Sequence, residues 1–62
     1  MTFIKVKYTN WRGETRIREI APAELWFGAT QCHPEPQWLL KALDAESKTL
    51  KDFALKDCDF TV

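Results

Sequence analysis

Residues 4–8 alternate apolar and charged side chains one for one, with Ile4, Val6 and Tyr8 against Lys5 and Lys7. A repeat of two is the signature of a strand, because successive side chains leave opposite faces of an extended backbone. β-Branched and aromatic residues suit the pleated, half-buried surface. Such a strand needs partners, since its main-chain N–H and C=O groups must be paired. The next residues supply one. Asn10-Trp11-Arg12-Gly13 contains two residues that tolerate positive φ and predicts a hairpin turn. A second alternation follows, with Thr15, Ile17 and Glu19 on one face and Arg16, Arg18 and Ile20 on the other. Pro22 interrupts it; proline gives the ladder no donor, so an edge or a bend is expected there. Leu25-Trp26-Phe27 predicts a third, short strand ended by Gly28.

Residues 28–37 form one long loop, which Pro34 and Pro36 stiffen toward an extended backbone. Loops of this length in a small domain are often functional. Residues 37–47 have two readings. The apolar positions 38, 39, 42 and 43 suit a helix with Pro36 in its first turn, and the run Trp38-Leu39-Leu40-Lys41-Ala42-Leu43 suits a buried strand equally. Asp44-Ala45-Glu46-Ser47-Lys48 is a polar turn. Residues 49–55 alternate again as a strand, and Cys58 and Phe60 carry the alternation to the end.

Sixty-two residues allow one domain, 1–62, with a marginal core. Small domains usually add a disulfide, a metal or a partner subunit. Three Trp, four Phe and one Tyr are more than so small a fold easily buries, and of Trp26 and Phe27 on one strand only one can face inward. Surplus aromatic surface marks an interface, so a homo-oligomer or a protein partner reached through loop 28–37 is one expectation. Nine basic and nine acidic residues give zero net charge, unlike a strongly basic nucleic-acid module. The distribution is uneven: residues 1–18 hold Lys5, Lys7, Arg12, Arg16 and Arg18 against Glu14 alone. No secretory signal and no apolar run near the roughly 20 residues of a membrane span is present. Cys32 and Cys58 are far apart without repeated spacing, as expected of reduced thiols in a cytoplasmic protein.

The candidate binding residues are Arg16, Arg18, Lys41 and Lys51. Two guanidinium groups on one face of a strand lie about 7 Å apart, which suits successive phosphates. Exposed Trp11 or Trp26 would give a base a ring to stack on. The same charges also suit an ordinary solvated face, with the tryptophans in the core. His33 is either a hydrogen-bonded loop residue or a contact to a ligand or partner. Cys32, His33 and Cys58 offer three metal donors at best, with no CxxC or HxxxH spacing, so neither a metal nor another cofactor is expected. Catalysis has no recognisable arrangement, and a small barrel has no room for a deep pocket of roughly several hundred Å³. A non-enzymatic module is the expectation.

Residues 4–58 resemble the WYL domain family. The resemblance rests on Tyr8 near the end of a first strand, Gly13 in the turn, Arg18, Pro22, Leu25-Trp26-Phe27, the triplet Trp38-Leu39-Leu40, Ala42 with Asp44, and Lys51-Asp52-Phe53-Ala54-Leu55. It departs from the family at Leu39, where the triplet has Tyr, at Lys51, where Arg is common, and at Ala54, where a second basic residue often stands. The resemblance implies a mostly-β fold, a small SH3- or Sm-like barrel of about five antiparallel strands, with residues 38–43 on a central strand. It implies a regulatory ligand-binding module standing without the family's helix-turn-helix and C-terminal extension. The ligand it implies is a nucleotide or single-stranded nucleic acid, held by basic and aromatic residues that here would be Arg16, Arg18, Trp26, His33, Lys41 and Lys51. The alternative is a protein-interaction or assembly module with no small ligand.

Overall fold

The computed structural model describes residues 2–62 and is mostly β. Strands β1 (Ile4–Thr9), β2 (Thr15–Gly28), β3 (Gln37–Asp44), β4 (Thr49–Ala54) and β5 (Cys58–Asp59) form one antiparallel sheet in the order β4-β3-β2-β1-β5. A single 3₁₀ turn, Leu55–Asp57, links β4 to β5. Among the described residues no ladder joins β4 to β5, so the hydrogen-bonded sheet is open. No helix there is long and apolar enough to cross a membrane.

The first hairpin is made by Asn10 and Gly13. Asn10 Oδ1 accepts the N–H groups of Arg12 (2.9 Å) and Glu14 (3.0 Å), and Gly13 takes φ +82°, open to a residue without Cβ. The register that follows puts Val6 opposite Arg18 and Tyr8 opposite Arg16, so Arg16, Arg18 and Ile20 share a face, as the alternation predicts.

Two readings of the chain are corrected. Leu25-Trp26-Phe27 is not a separate strand: β2 runs unbroken through 14 residues. Proline is accommodated because the register shifts between Pro22 and Glu24, a β-bulge, and because pairing with β1 ends at Ile4↔Ile20. Beyond Ile20 that side of β2 is already an edge. At the other end, β5 stops at Asp59 instead of continuing through Phe60, because Asp59 Oδ1 accepts the N–H of Thr61 (2.9 Å) and turns the chain. Residues 37–44 are strand, settling the helix-or-strand ambiguity. Cover on both faces, from the core around Ala42 on one and the Trp26 ring over Leu39 on the other, explains their near-continuous apolar run.

The core joins the two ends of the sheet. Val6, Tyr8, Ile20, Ala42 and Phe53 cluster, with Leu40 and Cys58 against them. Tyr8 of β1 meets Phe53 of β4 edge to face, centroids 4.9 Å apart. Its hydroxyl accepts the N–H of Ala54 at 3.4 Å. Strands three places apart in the order therefore touch, which requires a strongly coiled sheet. On the opposite face, Trp26, Leu39 and Ala54 stand in register across β2, β3 and β4. The indole N–H of Trp26 donates to Asp52 Oδ1 on β4 at 3.0 Å, so the ring crosses β3 and seals Leu39. It also lies on Gly28: a Cβ there would overlap Trp26 Cζ3 and sit 3.0 Å from Cε3.

Candidate ligand cleft

Two loop tips and one patch of sheet enclose the main hollow of the molecule. One tip is the β1–β2 turn, which holds Trp11 out with its side 71% exposed. The other lies in the β2–β3 connection. There Thr30 and His33 close a tight turn by exchanging main-chain hydrogen bonds (2.9 and 3.1 Å), reinforced by His33 N–H donating to Thr30 Oγ1 (3.1 Å). Gln31 and Cys32 occupy the tip of that turn. Tyr8, Phe53, Arg18, Lys51 and Asp52 form the floor between the tips. The cleft measures about 490 Å³ and is open to solvent. A hollow of that size was not expected of so small a fold. It arises because the loops, and not the sheet, make its walls.

The electrostatics of the floor are set by Asp44, the one buried charged side chain among the described residues, 1% exposed at the end of β3. Its Oδ2 accepts from Arg18 Nη1 at 2.8 Å and from Lys51 Nζ at 3.3 Å, and its Oδ1 accepts the N–H of Glu46 at 3.0 Å. Burial pushes the Asp44 pKa up more than any other single effect. The Glu46 N–H, Lys51 and Arg18 together outweigh it, and the net shift is downward. Arg18 is 17% exposed and Lys51 42%, so Lys51 keeps the freer charge. Asp52 also lines the cleft, so Arg18 and Lys51 are balanced by Asp44 and Asp52 and no net charge is left there. Tyr8 is held neutral further up the pH scale by burial, against the opposing Ala54 N–H. Cys58 behind the core has its thiol pushed up to about 11 by burial, with Asp57 adding to it.

Of the six residues singled out from the sequence, the cleft brings three together: Arg18, His33 and Lys51. The other three lie elsewhere. Arg16 pairs with Glu46 at 3.0 Å in an exposed ion pair. Trp26 is spread over the opposite face, although its partner Asp52 lines the cleft. Lys41 stands between Glu24 and Asp52 in the cross-strand register. The exposed ring is Trp11, with the Arg12 guanidinium stacked 5.0 Å from its centroid. Asp44, part of the family resemblance, is not among the candidate binding residues because it reads as the first residue of a polar turn, and nothing local distinguishes a buried carboxylate from an exposed one. Among the described residues no group of three or more His, Cys, Asp or Glu is placed to hold a metal ion. No family model, curated protein or solved structure matches the chain.

Proposed function

We propose that this chain is a non-enzymatic, regulatory binding module that takes a nucleotide, or one or two nucleotides of a single strand, in the cleft between Trp11 and His33. The observation that carries the reading is the convergence of Arg18, His33 and Lys51 on a hollow with an exposed indole at its rim. A base stacks on the free face of Trp11, the other face being taken by Arg12. A phosphate sits against Lys51 and His33. Arg18 serves the site by holding Asp44, and so leaves Lys51 partly free to reach a ligand.

Lys51, 42% exposed, is the cation free to meet one phosphate, and with Asp52 beside it the floor gives no basic track for a long strand. The resemblance to WYL domains supports the same ligand class. We read the coiled sheet as an SH3- or Sm-like barrel. Support comes from the Tyr8–Phe53 and Tyr8–Ala54 contacts across the core and from the 3₁₀ turn that returns β4 to β5 beside β1. With Cys32 and Cys58 both free thiols, we place the module in the cytoplasm.

The test is a titration with nucleoside monophosphates and a short oligothymidylate, followed by tryptophan fluorescence at two salt concentrations. Saturable quenching that Trp11→Phe abolishes is expected. For a single strand making one or two phosphate contacts, log K should fall with log salt by a slope of about −0.7 to −1.4. Unchanged fluorescence at either salt refutes the reading.

A further inference from the structure

We propose that the chain forms a two-fold homodimer through the inner faces of the second half of β2 and the start of β3. β1 stops pairing with β2 at Ile20, while β2 and β3 run on together to Gly28 and Gln37. Their inner-face rows continue past the core with no strand opposite. Leu25, Phe27 and Trp38 lie in those rows at 54, 57 and 53% exposure. Phe27 and Trp38 are packed edge to face, centroids 5.4 Å apart, so the surface is already ordered. Beside them a groove of about 470 Å³ opens between Trp38 and Leu55.

Three arguments make the occupant a second copy. First, a core this small gains stability from association, and with both cysteines free no disulfide supplies it. Among the described residues ten large hydrophobic side chains are exposed, against eight buried hydrophobic residues. Second, a two-fold interface must be self-complementary. This face carries both exposed Leu25 and a groove whose lining includes Phe27, Trp38 and Leu55, with Lys56 at its side. Zero net charge adds no repulsion between copies. Third, the area fits. Half-exposed aromatic rings and the flanking leucines leave roughly 300–400 Å² of apolar surface. A specific interface at the small end buries about 600 Å² per partner, a little over half of it apolar. That predicts a dimer that dissociates in the micromolar range. The groove and the ligand cleft share no lining residue, and a hollow lined by Trp11, His33, Gln37 and Lys56 lies between them.

Sedimentation velocity of the whole chain across roughly 1 µM to 1 mM tests this directly. A concentration-dependent dimer is expected, with a midpoint of thermal unfolding that rises with concentration. Phe27→Lys should give a monomer at every concentration, with circular dichroism checking that it is folded. Should that variant unfold, Leu25→Lys takes its place. A wild-type chain that stays monomeric at 1 mM overturns the proposal and leaves the face to a different protein. A dimer that persists in whichever variant folds overturns it too, by moving the contact to another surface.

Discussion

Replacing Asp44 by Asn should cost this domain a large part of its stability. Asn keeps an oxygen for the Glu46 N–H but turns an amide donor toward Arg18 and Lys51, which then face each other without an anion. Breaking a fully buried ion pair typically costs about 3–5 kcal/mol. Here both cations reach water, Lys51 more than Arg18, so the loss belongs below that range, about 2–3 kcal/mol. A domain of this length holds about 3–9 kcal/mol in all, at roughly 0.05–0.15 kcal/mol per residue. The unfolding midpoint should drop by about 10–20 °C. Urea unfolding read by tryptophan fluorescence measures the change, with Arg16→Ala as control: its pair with Glu46 is exposed and worth about 0.5 kcal/mol or less. The pH profile adds a second reading. Folding lowers the Asp44 pKa, so its stabilisation is complete above the unfolded value near 3.9 and is lost as pH falls through the folded value. Stability should therefore decline below about pH 4, and less steeply in Asp44→Asn. Asp59, also shifted down by its hydrogen bonds to Thr61, adds to the decline in both proteins. A substitution that leaves stability within about 0.5 kcal/mol of wild type would falsify the view that Asp44 organises the floor of the cleft.

The remaining expectations concern thiols and glycines. Cys58, partly buried, with its thiol raised to about 11 and donating to the Ala54 carbonyl, should react with a disulfide reagent at pH 8 far more slowly than a free thiol. Exposed Cys32 should react at once, and equal rates would contradict the packing of Cys58. Gly28→Ala should displace the Trp26 ring from Asp52 and cost about 1–3 kcal/mol, seen as a shifted urea midpoint with altered tryptophan emission. Gly13→Ala meets no atoms but must hold φ +82°, so a loss of about 1 kcal/mol is expected from backbone strain alone.

Much of the sheet is legible in the chain because local chemistry decides it. The Ile4–Tyr8 alternation, the Asn10–Gly13 turn and the face shared by Arg16 and Arg18 need only pleat and turn rules. The sequence is less decisive where tertiary context rules. Pro22 reads as a break, yet a bulge beside an edge absorbs it and keeps β2 whole. Residues 38–43 satisfy helical and strand periods at once, and only flanking β2 and β4 decide between them. The site was half visible. Arg18, His33 and Lys51 do meet, but Asp44, which takes up much of their charge, is invisible as a buried group in sequence. Trp26 and Trp11 could not be ranked, because the exposed ring is the one in the turn and the covered one reaches across two strands to Asp52.

The most direct test of the central claim is amide chemical-shift mapping of the labelled protein as a short oligothymidylate is added. The account predicts shifts concentrated at Tyr8, Trp11, Thr30 to His33 and Lys51 to Phe53, with the side-chain N–H of Trp11 moving most and that of Trp26 little. Shifts centred on Phe27 and Trp38, or none at millimolar ligand, would contradict it.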